Sequence, residues 1–159
     1  MRDGSDSNDR RCIRCNSVSV RSRSGTRRTR PYRVLPSLVV PDDCLIPTCA
    51  RCGADYLDEE TIAALGPVLE QAYRDELRRI AAAVIRRLSK WISQRRLELL
   101  IGLSQGYLSR LAAGDGVPSA QLVLLLGLLA DGAPQSIRAI QDFWPSQLNQ
   151  PEPTKEKEP

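Results

Sequence analysis

Residues 93–119 read SQRRLELLIGLSQGYLSRLAAGDGVPS. They contain three helix openings and the stops between them. Ser93 can cap a helix over 94–101, because a serine hydroxyl accepts from the unpaired N–H groups of a first turn, and Gly102 ends it. Ser104 can cap the next, over 105–112, stopped by Gly114. Pro118-Ser119 opens a third that runs to about Leu129 and ends at Asp131-Gly132-Ala133-Pro134. Gly102-Leu103-Ser104 then forms a tight turn, with Gly102 left-handed and Leu103 buried. A helix-turn-helix of this kind sets its second helix at a steep angle and exposes the N-terminal part. Leu108 and Leu111 are expected to point inward, leaving Gln105, Gly106, Tyr107, Ser109 and Arg110 outward. Glutamine and arginine make paired hydrogen bonds to adenine and guanine edges. Arg95 and Arg96, which follow the first cap with Gln94, suit phosphates, which position a protein without reading sequence. With Ser104, these residues form the expected DNA-contacting set. A plain bundle with a polar face would not require the glycine turn, the serine caps and the Gly-Val-Pro-Ser opening together.

Upstream, the apolar positions Leu69, Tyr73, Leu77, Ile80, Val84, Leu88 and Trp91 recur in steps of three and four, the spacing of a helix with one apolar face. One continuous helix or two abutting ones would both give this pattern. Arg74, Arg78, Arg79, Arg86 and Arg87 occupy the opposite face. Before it, Asp58-Glu59-Glu60 suits a helix N-terminus, and Gly66-Pro67 is expected to break a short first helix there. Downstream, 135–144 reads as a further helix. The expected organisation is α+β: a disordered 1–11, a small β-rich zinc-binding unit over 12–57, connecting helices over 58–92, an all-α domain over 93–144 with about five helices in all, and a disordered tail over 145–159.

The five cysteines all fall within 12–52, in the order Cys12-x2-Cys15-x33-Cys49-x2-Cys52-Gly53, with Cys44 outside the two pairs. In a Cys-x2-Cys knuckle the turn lets both sulfurs reach one ion, while backbone N–H groups donate to them and a glycine eases the bend. Four soft thiolates suit zinc, and a closed shell of four leaves no open position. The expectation is one structural Zn2+ per chain on Cys12, Cys15, Cys49 and Cys52. Cys44 could replace Cys49, since Cys44-x4-Cys49 also fits a loop; otherwise it is a half-buried free thiol near the site. Between the pairs, Pro31, Pro36, Pro41 and Pro47 argue against a helix, and Val18–Val20 and Val34–Val40 are β-prone. The long intervening stretch is expected to form a hairpin.

Composition narrows the function. The richest apolar run, 122–130, is far short of the about twenty residues of a membrane span, and no apolar leader follows the first residues, so a cytoplasmic chain is expected. The 159 residues carry a net charge of +4, but residues 1–40 hold ten arginines against three aspartates. So basic a segment suits an anionic partner or is a solvated loop. There is no histidine. That removes histidine acid–base chemistry and histidine metal sites. With no glycine-rich phosphate loop and no nucleophile–base pair either, an enzyme is not expected.

The two knuckles, then Tyr56-Leu57-Asp58-Glu59-Glu60, a helix and the 93–119 stretch resemble, over about residues 12–140, the MqsA-type antitoxins: a YgiT-type zinc finger followed by a Cro-type helix-turn-helix. Ser93-Gln94 matches the family's Thr-Gln, the 103–110 segment matches its recognition-helix pattern, and Gly114 through Pro118-Ser119 matches the loop after it. The chain departs from the family at Ala112, where an acidic residue is usual, at Leu97, and in Lys90-Trp91 before Ser93. The resemblance implies a homodimer formed through the helical half, a palindromic double-stranded DNA operator, a zinc domain that holds a partner toxin, and base-contacting roles for positions 106 and 110. The runner-up is an adaptor whose zinc unit and basic 21–33 stretch bind RNA or an acidic protein, the helical half only dimerising. Tyr32 is the one aromatic residue in 12–52, which weakens its RNA form, since RNA-binding surfaces stack bases on aromatic rings.

Overall fold

The computed structural model describes residues 11–25 and 28–148; the segments 1–10 and 149–159, expected to be disordered, lie outside the described residues. The described chain has four short strands followed by five helices, the α+β layout expected. It divides into two compact units at Arg74 and Asp75, inside the first helix.

In the N-terminal unit, β1 (Val20–Ser24) pairs antiparallel with β4 (Leu45–Cys49), from Val20 opposite Cys49 to Ser24 opposite Leu45. The hairpin of β2 (Thr29–Tyr32) and β3 (Leu35–Val39) lies between them in sequence, so the long stretch between the cysteine pairs does fold as a hairpin. Its ladder is irregular between Arg30 and Tyr32, where Pro31 has no N–H to give. The first strand lies further on than the Val18–Val20 expected. Four of its five residues are serine and arginine, and pairing with β4 rather than propensity sets it.

Leu38, Val40, Cys44, Ile46, Leu65, Leu69 and Tyr73 are buried in this unit. Tyr32 meets Tyr73 edge to face at 5.7 Å and its hydroxyl donates to Glu70 at 3.2 Å, which ties the hairpin to α1. Arg74 above all, then Tyr32 and Arg33, holds the Glu70 carboxyl below the usual carboxylate range against its partial burial.

Helix α1 runs unbroken over Glu59–Leu88, which corrects the expected break at Gly66-Pro67. Pro67 and Ala63, whose carbonyl loses its N–H partner, are both exposed, so water can serve that carbonyl. Gly66 has no Cβ for the proline ring to crowd. The helix also stops before Trp91, which is exposed rather than on the apolar face; Ile92 is buried instead.

In the second unit, α2 (Gln94–Leu100), α3 (Tyr107–Ala112), α4 (Ala120–Asp131) and α5 (Gln135–Leu148) complete the fold. One core takes Val84, Ile85 and Leu88 from α1, then Ile92, Leu97, Leu108, Leu111, Leu126, Leu129 and Ile137. The end of α1 is therefore part of this core rather than a connector. Ser93 and Ser119 cap α2 and α4 through their hydroxyls, as expected. Helix α5 continues through Pro145 to Leu148, so the first residues of the expected tail are helical. Among the described residues no single helix is long and apolar enough to cross a membrane.

Candidate metal centre and nucleic-acid interface

The two cysteine knuckles are built alike. In the first, the Cys12 N–H donates to the Ser17 carbonyl at 2.8 Å and the Asn16 N–H donates to the Cys12 carbonyl at 2.8 Å. In the second, the Cys49 N–H donates to the Ala54 carbonyl at 2.8 Å and the Gly53 N–H donates to the Cys49 carbonyl at 2.9 Å. The residue after the second cysteine is left-handed in both, Asn16 at φ 56° and Gly53 at φ 71°. Glycine takes that conformation freely, and asparagine is among the few other residues that tolerate it. Asn16 thus does for the first knuckle what Gly53 does for the second. The β1–β4 pairing, extended by the Ala50 N–H to the Ser19 carbonyl at 2.8 Å, brings the knuckles together.

The sulfurs of Cys12, Cys15, Cys49 and Cys52 all lie within 4.8 Å of one another. Cys12 and Cys52 are 3.6 Å apart, as are Cys15 and Cys49. Four sulfurs about 2.3 Å from a tetrahedral ion stand about 3.8 Å from each other, so the cluster has the size of a thiolate cage. Backbone N–H groups of Cys52 and Arg51 lower the Cys49 thiol to about 6 against the effect of burial, those of Cys15 and Arg14 lower Cys12, and Cys15 is pushed up to about 12: the Ser17 N–H pulls it down, but burial and the three neighbouring thiols outweigh that. Four thiolates cannot share so small a space without a cation between them. The four residues can hold a metal ion.

Cys44 is not in the cluster. It is buried, rather than half-buried as expected, and borders an open hollow of about 450 Å³ lined by Asp43, Leu45, Glu60, Leu65 and Val68 among others. Burial, then the Asp43 charge, pushes its thiol up.

Much of the basic stretch is engaged within its own unit. Arg28 donates to Asp55 at 3.2 Å and to the Thr48 hydroxyl at 3.0 Å, and Arg30 also pairs with Asp55. Arg33 pairs with Glu70 at 2.9 Å and lies over the Tyr73 ring, 5.4 Å from its centroid. Arg21 and Arg23 are exposed on β1, and Arg27 lies outside the described residues.

The turn between α2 and α3 follows the sequence in part. Gly102 is left-handed at φ 72°, and Leu108 and Leu111 are buried. Leu103 is half-buried rather than buried. Ser104 does not cap α3. The helix starts at Tyr107, two residues later than expected, and its cap is Gly106 at φ 77° with no side chain to offer. Glu98 takes the capping role from α2. Its carboxylate accepts the Gly106 N–H at 3.0 Å and the Leu108 N–H at 2.8 Å, and the residue is only 3 % exposed. A carboxylate at a helix N-terminus gains both charged hydrogen bonds and the favourable helix dipole. Sequence reasoning missed Glu98, although a lone charge in the run Leu97-Glu98-Leu99-Leu100-Ile101 was its signal.

Gln105, Ser109 and Arg110 are exposed, as are Arg95, Arg96 and Ser104; Gln94, Gly106 and Tyr107 are half-buried. Tyr107 packs on the core, so its ring is less available than expected. A Cβ on Gly106 would stand 3.7 Å from an Arg110 guanidinium nitrogen, which places that guanidinium over the start of α3. Compared with family models, curated proteins and solved structures, the chain matches none.

Proposed function

We propose that this chain is a sequence-specific DNA-binding regulator whose N-terminal unit folds around one structural zinc ion. In its most specific form it is the antitoxin of a type II toxin-antitoxin pair, neutralising a toxin and repressing its own operon as a homodimer on a palindromic operator. The observation that carries the DNA reading is the presentation of α3. Glu98 caps it from α2, glycines at 102 and 106 shape the turn, and Gln105, Ser109 and Arg110 are left free on the surface. Zinc is the metal that four closely set cysteine sulfurs favour. The adaptor reading draws less support, because Arg28, Arg30 and Arg33 are occupied by Asp55 and Glu70.

The test is binding of Arg110→Ala and Arg95→Ala to a selected operator and to random DNA over a range of salt. Arg110→Ala should lose about 1–3 kcal/mol of discrimination while keeping most non-specific affinity. Arg95→Ala should weaken both sequences alike and reduce the salt slope by about one unit. Operator binding by Arg110→Ala as tight as the parent's would exclude α3 as the reader.

A further inference from the structure

The hollow beside Cys44 has no part in the metal centre. It lies between the start of β4 and the first turns of α1, within the unit that ends at Arg74. Two periodicities build it. On β4, Leu45 and Pro47 turn the same way and line the hollow, while Ile46 between them is fully buried. On α1, Glu60, Ala64 and Val68 recur in steps of four with Leu65 beside them, so one helix face makes the opposite wall. Leu45 stays 62 % exposed with the hollow next to it. The volume of about 450 Å³ falls among those of small-molecule sites, about 300–1,000 Å³.

The charge around it has one sign. Asp43 and Glu60 line it, both exposed, and among the described residues neither is in an ion pair. Their chain neighbours Asp42 and Glu59 are exposed carboxylates as well. The positive end of α1 amounts to about half a charge, which Glu59 and Glu60 in its first turn outweigh. Arg30 is near enough to act on Cys44, but it is committed to Asp55. Cys44 itself is only 9 % exposed, and among the described residues its thiol makes no hydrogen bond. A buried polar group without a partner marks a place where something outside the chain supplies the contact. We infer that this hollow binds a small cation with an apolar body, an alkyl- or arylammonium. Asp43 and Glu60 match its charge, and Leu45, Leu65 and Val68 cover its hydrocarbon. The carboxylates select the sign, and the apolar walls favour such a cation over a hydrated metal ion, which has no hydrocarbon to bury. Burial and the Asp43 charge keep the Cys44 thiol neutral, so it meets the ligand as a soft, polarisable wall rather than as a third anion. The inference uses no residue of the DNA reading and holds whether or not the chain binds DNA.

Cys44 serves as the reporter. In the full zinc-loaded chain, its alkylation by iodoacetamide, in which the thiolate displaces iodide, is timed by peptide mass spectrometry. The probe is benzyltrimethylammonium. Phenylacetate offers an aromatic body with the opposite charge, and tetramethylammonium offers the charge without the body. Benzyltrimethylammonium should slow the alkylation saturably, about fivefold when it stands at about four times its dissociation constant. The other two should leave the rate unchanged. Asp43→Asn combined with Glu60→Gln should abolish the protection without altering the circular dichroism spectrum, since both residues are exposed. If the thiol alkylates too slowly to time, the amide shifts of Cys44 and Leu65 in nitrogen-15 NMR read the same titrations. Equal effects from all three compounds, protection that survives in the double variant, or no effect of benzyltrimethylammonium on either readout would overturn the assignment.

Discussion

Replacing Cys49 by serine is expected to abolish the folding of the N-terminal unit and the metal content with it. Each chain should carry one zinc ion, and Cys49→Ser less than about half an equivalent, because three thiolates no longer close the tetrahedral shell. Structural zinc in small fingers contributes about 10–16 kcal/mol, more than a unit of this size gains from Leu38, Val40, Ile46 and the other buried side chains around them. A strong chelator should act likewise. It should remove the β structure and fray the first half of α1, which belongs to that unit, while the core from Val84 to Ile137 keeps most of the helical circular dichroism. Metal analysis and a chelator titration read both effects. Loss of the whole helical signal on chelation would mean that the two units fold as one, and unchanged zinc in Cys49→Ser would remove that residue from the site. Cys44→Ser should leave the zinc content unchanged, since Cys44 lies outside the cluster.

Glu98→Ala is expected to destabilise the helical unit by about 3 kcal/mol, the loss of two charge-assisted hydrogen bonds plus the unpaired N–H group left buried at Leu108. The carboxylate serves Gly106 and Leu108 together, so the start of α3 should loosen before the rest of the unit melts. Glu98→Gln keeps one acceptor oxygen and should cost about half as much. Ser104→Ala should cost within about 0.5 kcal/mol, as an exposed residue that caps nothing. Denaturant melts of the three variants give the order. If Ser104→Ala were as harmful as Glu98→Ala, the cap would have been assigned to the wrong side chain.

These two sites show what spacing can and cannot reveal. The four-cysteine cluster was legible because a knuckle is local: two residues between cysteines fix the turn, and four sulfurs in two such turns have few other uses. The apolar steps that place Leu108 and Leu111 in the core were legible for the same reason. What the sequence hid depends on partners distant in the chain. Glu98 caps a helix whose cap is eight residues away, so the nearer Ser104 looked like the natural choice. The start of β1 is set by β4, and Pro67 stays inside α1 because the carbonyl it orphans faces water. Asn16 stood in for a glycine, a substitution visible only once both knuckles are seen to share one hydrogen-bond pattern. The apolar character of α4 was plain in its sequence, but not which of its leucines remain outside.

DNA reading by α3 is tested by selection of duplexes from a random-sequence DNA library with the full zinc-loaded chain, at a salt concentration that suppresses non-specific binding. One motif with two-fold symmetry should be enriched, and lost on selection with Arg110→Ala. Recovery of no motif by a folded, zinc-loaded chain would contradict it.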